Sequence, residues 1–192
     1  TLFAIFLTFA IANISATIVF PIFAPLFLKS SSSIISSQTP ENLRLIYYGI
    51  FLAAFPAAQF FFSPLAGEYA DRRGRKTTFL VSLLLEAIGY GISALSIHYS
   101  MLWPLFIGRF ITGVAAGNMS VCLAALVDIS ENERQKVRYF SYGSIVIGAA
   151  FVFGPFLGGK LSDPTIYPIF TKAFPMFIGM ILAIINFILM IS

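Results

Sequence analysis

Six apolar runs, at residues 2–28, 43–66, 77–97, 101–127, 137–160 and 172–191, make up most of this chain. Each is about as long as the roughly 20 residues that a helix needs to cross the hydrocarbon core of a bilayer. None shows the period-two alternation of a strand, and the strands of a membrane barrel are about half as long. The segments are hydrophobic all round rather than along one stripe, as expected of a helix set among lipid and other helices. Hydrophobic residues are 58% of the total and charged residues 10%, too little polar surface to cover a soluble domain of this size. The expected fold is an all-α membrane protein, a six-transmembrane-helix bundle joined by short loops.

The charges lie mostly in the connections. Arg72, Arg73, Arg75 and Lys76 follow the second run, and Arg134, Lys136 and Arg138 follow the fourth. Lys29, Arg44, Lys160 and Lys172 lie on the other side. Seven bases against four put the first set in the cytoplasm, with the N-terminus, in the cell (inner or plasma) membrane. Bases confined to turns do not form a stripe interleaved with exposed aromatics, so the expected partner is the lipid bilayer and no nucleic acid. The serine-rich tract 30–37 reads as a flexible outward loop. Thr1 stands where an initiator methionine would, and the last run reaches Ser192 with no polar tail. The chain therefore reads as part of a longer protein, and without a basic n-region no cleavable signal peptide is expected.

Glu86 and Arg109 are charged residues within the runs. Each costs about 2.5–3.5 kcal/mol at mid-membrane on insertion scales, so each should face protein or a wet cavity. At 1.5 Å per residue they lie roughly 16 and 12 Å below the outer boundary. Their helices run antiparallel, which permits a pair but does not require one; a structural ion pair and a functional site are both open. Helical spacing puts Arg109 on a face with Thr112, Gly113, Ala116 and Ser120, with Asn118 and Cys122 roughly opposite. Glu86 shares its face with Ser82, Tyr90 and Ser93. Asn13, Thr17 and Pro21 recur every four residues in the first helix, as do Gln59, Ser63 and Gly67 in the second. Four helices thus carry one polar or small stripe each. Such stripes suit a water-accessible pathway, with Asn13, Gln59 and Asn118 as cavity candidates, or hydrogen bonding between helices.

In the fifth run, Ala150, Gly154 and Gly158 are four apart and admit a close neighbour, while Pro155 favours a kink. The single cysteine, Cys122, excludes an internal disulfide and a cysteine metal cage and reads as packing. An intramembrane hydrolase would need a serine-histidine pair, paired aspartates or a metal cluster. The one histidine, His98, lies at the outer end of the third helix. No enzyme activity, cofactor or resident metal is expected.

The decapeptide at 67–76, GEYADRRGRK, is a basic turn between two apolar runs. There Gly67 is expected to end one helix and Gly74 to supply the turn into the next. This loop looks like the motif G-x-L-x-D-R-x-G-R-K, with Tyr69 where leucine is usual. Gly108, Arg109 and Phe110 with Gly113 and Gly117 look like a fourth-helix arginine motif. Asp128 with Glu133 and Arg134 looks like the charged end of that helix. Gly154, Pro155, Gly158 and Gly159 look like the antiporter motif G-P-x-x-G-G, with Ala150 and Ser141 where further glycines are usual. The chain resembles the N-terminal six-helix half of a major facilitator superfamily transporter, and within it the drug:proton antiporter branch with its tetracycline-efflux-like members.

The resemblance implies that residues 1–192 are an N-terminal transmembrane domain completed by a C-terminal half, twelve helices in all. Substrate would bind near the midplane and the halves would rock around it. It implies proton-coupled export of small amphipathic organic compounds. Asp71, Arg72, Gly74, Arg75 and Lys76, with Gly67, would form a cytoplasmic latch. Glu86 would carry the proton and Arg109 would tune it, since desolvation favours the neutral form of a carboxyl whereas a tight pair with arginine favours the charged form. Proton symport of a sugar or organic acid, and a non-transporting scaffold or receptor on the same bundle, are the alternatives.

Overall fold

The computed structural model of the protein describes residues 2–29, 34–36 and 38–191. All regular structure among the described residues is helical. The first crossing is expected to be one helix over 2–28. It is instead two, α1 (Leu2–Ile18) and α2 (Phe20–Leu28), with a turn at Val19. Pro21 explains the break, because it has no N–H to give the Thr17 carbonyl and its ring crowds that carbonyl. The Ile22 N–H turns back to the Val19 carbonyl at 3.2 Å.

The second crossing, α3 (Glu41–Arg73), has 33 residues. At 1.5 Å per residue it is roughly 50 Å long, well beyond a hydrocarbon core of about 30 Å. It therefore continues past Gly67, which lies inside the helix with open space around it. The expectation that Gly67 ends a helix is corrected; Gly74 alone makes the turn. The third crossing is α4 (Arg75–His98). The fourth is α5 (Leu102–Ala115), a 3-10 turn (Ala116–Asn118) and α6 (Met119–Asp128). The fifth, α7 (Glu133–Leu161), passes through Pro155 as one helix. Its first turn is capped by the Asn132 side chain, which accepts from the Gln135 N–H at 2.9 Å, an arrangement worth about 1 kcal/mol. The sixth crossing is α8 (Phe174–Ile191).

Small residues set how closely these helices approach. A Cβ on Gly89 would lie 2.9 Å from the Gly108 carbonyl oxygen, and one on Gly108 would lie 2.7 Å from the Gly89 carbonyl oxygen. The α4 and α5 backbones thus touch there. α4 also packs against α8, α1 against α7 and α8, and α3 against α5. One apolar cluster gathers Phe23, Phe27, Phe51 and Leu105; a second, toward the basic loops, gathers Phe9, Phe79, Cys122 and Leu126. The most apolar window of α4 is 56% buried, against 11% for α3 and 17% for α7. Those two helices present Phe60, Phe61, Phe153 and Phe156 outward, a surface that belongs against lipid or further helices.

The loop into α3 departs from the flexible outward tract expected of residues 30–37. Residues 30–33 and 37 lie outside the described residues. Ile34 and Ile35 are buried in the first cluster. Arg44 is buried as well and donates to the carbonyls of Lys29 and Ser36 at 2.8 Å each and of Thr39 at 3.1 Å. Its forked guanidinium satisfies several carbonyls at once, so this base is a structural staple rather than a solvated loop charge. After α7, the Thr165 hydroxyl and N–H donate to Asp163 at 2.7 and 2.9 Å. These bonds hold the exposed Asp163 carboxyl below the usual carboxylate range.

Candidate functional site: a cavity among five crossings

A cavity of about 210 Å³ opens among the first five crossings, its polar groups coming from the first four. Its polar lining is Asn13 and Thr17 from α1, Gln59 from α3, Glu86 and Tyr90 from α4, and Thr112 and Asn118 from the fourth crossing. Phe20, Phe55 and Phe151 supply aromatic wall. Drug-sized pockets run to about 300–1,000 Å³, so this wall encloses only part of such a ligand.

Local structure explains how each group arrives there. The four-residue spacing of Asn13 and Thr17 puts both on one face of α1. The Asn13 amide donates to the Phe9 carbonyl at 2.7 Å, leaving its oxygen for the cavity. Asn118 is expected opposite Arg109 yet lines the same cavity as Thr112. The 3-10 turn is the reason. At 3.0 residues per turn it adds about 20° of rotation per residue over an α-helix, which brings Asn118 round toward the Thr112 side. Ser120, expected on the Arg109 face, is exposed. The turn also alters the carbonyl pairing around it, and α3 supplies donors. Gln59 Nε2 donates to the Ala116 carbonyl at 3.2 Å, and the Ser63 hydroxyl reaches the Gly117 carbonyl at 3.5 Å.

Glu86 and Arg109 do not pair. The ion pairs among the described residues are Arg72–Glu68, Arg75–Asp128 and Lys136–Glu133. Glu86 is 8% exposed, and that exposure is to the cavity. Arg109 is 5% exposed and lies between two aromatic faces, its guanidinium carbon 4.9 Å from the Phe23 ring centre and 4.3 Å from that of Phe55. Each such contact is worth up to about 2 kcal/mol when desolvated. Its Nε has no hydrogen-bond partner among the described residues. Tyr90, about one turn from Glu86 on α4, lines the same cavity. Among 22 phenylalanines, nothing in the sequence marked Phe23 and Phe55 as the partners of this arginine.

The basic loop is held on one side only. Gly74 has φ +88°, a conformation that side chains rarely adopt, and its N–H donates to the Ala70 carbonyl at 2.9 Å. Arg75 Nε meets the Asp128 carboxylate at 2.6 Å and Nη1 the Val121 carbonyl at 3.3 Å. Lys76 reaches the Ile191 carbonyl at 3.1 Å. These contacts fasten the start of α4 to α6 and α8. Arg72 pairs with Glu68 one turn away at the surface, worth only about 0.3–0.5 kcal/mol. Asp71 is exposed, with no hydrogen bond or ion pair among the described residues.

The glycines of α7 divide in two. A Cβ on Gly154 would overlap the Thr17 hydroxyl, and one on Gly158 the Ile18 carbonyl oxygen. Between these helices the Thr17 hydroxyl lies 2.8 Å from the Ala150 carbonyl. Gly159 has open space around it. Gly154 and Gly158 thus seat α7 on the break after α1.

The family profile described as Major Facilitator Superfamily matches residues 5–191. The chain belongs to the Major Facilitator Superfamily. Members of this superfamily are membrane transporters, and with six apolar spans the chain is a multi-pass membrane protein. It is 35% identical over 131 residues to the tetracycline resistance protein, class H, of Pasteurella multocida, covering 68% of this chain and 32% of that protein. It is 30% identical over 115 residues to the quinolone resistance protein NorA of Staphylococcus aureus (strain Mu50), covering 60% of this chain and 29% of that one. The chain thus spans about a third of the length of the curated relatives it matches. Among solved structures, the human organic anion transporter MFSD10 (TETRAN) superposes with a TM-score of 0.78 at 17% identity, over 98% of this chain and 46% of that one. That likeness shows the fold, a six-helix half of a superfamily transporter.

Proposed function

We propose that the chain is the N-terminal half of a proton-coupled antiporter that exports small amphipathic organic compounds by alternating access. The observation that carries this reading is Glu86, a buried carboxyl with no hydrogen-bond or ion-pair partner among the described residues, facing a cavity walled by amides, hydroxyls and aromatic rings. A carboxyl in such a place can take up a proton when the cavity faces one side and give it up when it faces the other. The mixed lining suits a ligand that is part aromatic and part polar. The names of the tetracycline and quinolone resistance relatives support export of such compounds. The outward apolar faces of α3 and α7 suit docking of a C-terminal half of the same protein. The base-rich loops support an N-terminus on the cytoplasmic side of a cell membrane.

Reconstitution of the full-length protein in vesicles with an imposed proton gradient tests this reading, with tetracycline and a quinolone as probes. Probe is expected to move against the proton flow. Glu86→Gln should reduce gradient-driven flux by about 100-fold or more while leaving gradient-independent probe exchange, because the amide keeps the shape but carries no exchangeable charge. Gradient-driven flux surviving in Glu86→Gln would remove Glu86 from coupling, and probe accumulating on the side the protons enter would assign symport.

The free carboxylate of Asp71 points to a partner contributed by the other half, as a latch at the membrane boundary. Asp71→Asn is expected to lower turnover about tenfold with membrane insertion unchanged, the tenfold corresponding to about 1.4 kcal/mol for a lost charge-assisted contact. Flux equal to that of the natural protein in the same vesicles would dispose of the latch.

A further inference from the structure

Lys172 has no carboxylate partner among the described residues. It stands two residues before Phe174, the first residue of α8, at the end where a helix macrodipole disfavours positive charge. It lines two cavities at the end of the bundle opposite the basic 67–76 turn. The larger, of about 360 Å³, is also lined by Lys29 and walled by Pro21 and Pro25. The smaller, of about 260 Å³, is lined by His98 and by no carboxylate among the described residues. The larger cavity shares no lining residue with the central one around Glu86.

The groups that could neutralise these lysines are engaged elsewhere. Asp163 lines the larger cavity, but its Oδ1 accepts from both the N–H and the hydroxyl of Thr165, and it forms no ion pair with either lysine. The Ser162 hydroxyl donates to the Gly159 carbonyl at 3.0 Å. Arg44 holds the Lys29 carbonyl at 2.8 Å and so fixes where that side chain starts. Lys160, on the same side of the bundle, lays its ammonium 4.8 Å from the Phe156 ring centre and does not line the cavity. Two ammonium groups thus share one open pocket with a single carboxylate that is already spoken for. An anion with several acceptor oxygens suits it, because charge-assisted hydrogen bonds are the strong ones.

The adjoining loop indicates the source of that anion. Between α7 and α8, Ile166, Tyr167 and Ile169 are 46%, 62% and 68% exposed. The Tyr167 and Phe170 rings meet at 5.4 Å, and those of Phe170 and Phe174 at 5.1 Å. Large apolar side chains presented together on a polar connection mark a membrane-facing surface, and tyrosine is enriched at the headgroup level. Asp163 and Lys172, near the two ends of this loop, both line the larger cavity, which puts the pocket at the depth of the headgroups. We propose that this pocket binds the phosphate of an anionic phospholipid from the leaflet on that side, with Lys29 and Lys172 as its cationic contacts. The site does not depend on what the protein transports.

Native mass spectrometry of the full-length protein in detergent tests this, with dioleoyl phosphatidylglycerol as probe and dioleoyl phosphatidylcholine as the zwitterionic control. One copy of the phosphatidylglycerol should bind about tenfold or more tightly than the control lipid. Lys29→Gln combined with Lys172→Gln should abolish that tight copy. Both lysines are exposed, so the exchange leaves folding intact, and Lys29→Arg with Lys172→Arg should keep the lipid. Lys160→Gln, on the same side but outside the pocket, should change the affinity by less than about twofold. Absence of the selectivity, a tight copy that survives the double glutamine variant, or its loss in Lys160→Gln would each overturn the proposal. Glycerol 1-phosphate at concentrations similar to the lipid should not displace it; displacement would assign the pocket to a soluble phosphate and overturn the lipid as its occupant.

Discussion

Gly158→Ala is expected to destabilise the protein by more than about 3 kcal/mol, while Gly159→Ala one position on is neutral or stabilising by up to about 1 kcal/mol. The new Cβ at 158 meets the Ile18 carbonyl oxygen inside contact distance, the Ile18 carbonyl carbon at 2.8 Å and Pro21 Cγ at 3.2 Å. Two of these are backbone atoms at the break between α1 and α2, which cannot rotate aside as a side chain would. Overpacking usually costs about 1–3 kcal/mol; here relief requires moving one helix off another, which also strains the Thr17–Ala150 contact. At 159 there is nothing within 4 Å, and alanine has the higher helix propensity by about 1 kcal/mol. Thermal unfolding of the two full-length variants in detergent provides the comparison. Equal midpoints would mean that α7 does not rest on α1 as described.

Arg109→Met is expected to fold as well as the natural protein, or better, and still to lose coupled transport by about 100-fold or more. Removing one member of a buried ion pair usually costs about 3–5 kcal/mol because a partner charge is orphaned. Arg109 has no carboxylate partner to orphan, and its neighbours are the rings of Phe23 and Phe55. Methionine is of similar length, and its sulfur makes favourable contacts with aromatic rings. Burial of an unpaired cation is costly, so its retention calls for something other than stability. Arg109→Lys should not restore coupling fully, since a compact ammonium lacks the planar stacking face. Unfolding of Arg109→Met would make the guanidinium structural, and undiminished coupled flux would remove it from the mechanism.

The difference between these glycines was only partly legible in the sequence. The four-residue spacing of Ala150, Gly154 and Gly158 announced a surface for close approach, but the partner helix was not named by any residue of α7. Pro21 was read only as one member of a four-residue stripe in a single helix, whereas the structure breaks that helix two residues earlier, at Val19. Gly67 misled, because a glycine at the edge of an apolar run looks like a helix end. α3 runs on through Pro56, Pro64 and Gly67 to Arg73, and ends only where Gly74 takes φ +88°. Asn118 misled for a different reason. A constant 100° per residue was carried across Ala116–Asn118, where the backbone tightens. Arg44 was counted as a loop charge and proved to be a buried staple for carbonyls that no composition argument could place.

For the site, the residue types were readable and their relations were not. Charges and amides within apolar runs stand out because the bilayer penalises them, and Asn13, Gln59, Glu86 and Asn118 do line one cavity. That Glu86 stands unpaired among the described residues, with Arg109 held on aromatic faces, depends on four helices meeting at distances that the sequence of none of them contains.

Run length and apolar content alone determined six crossings, because a bilayer imposes its thickness on every segment independently. Tertiary structure alone decided which cation faces which carboxyl and which glycine touches which backbone. Those are properties of pairs of helices, set by the angle and depth at which two surfaces pack, and no single segment encodes them.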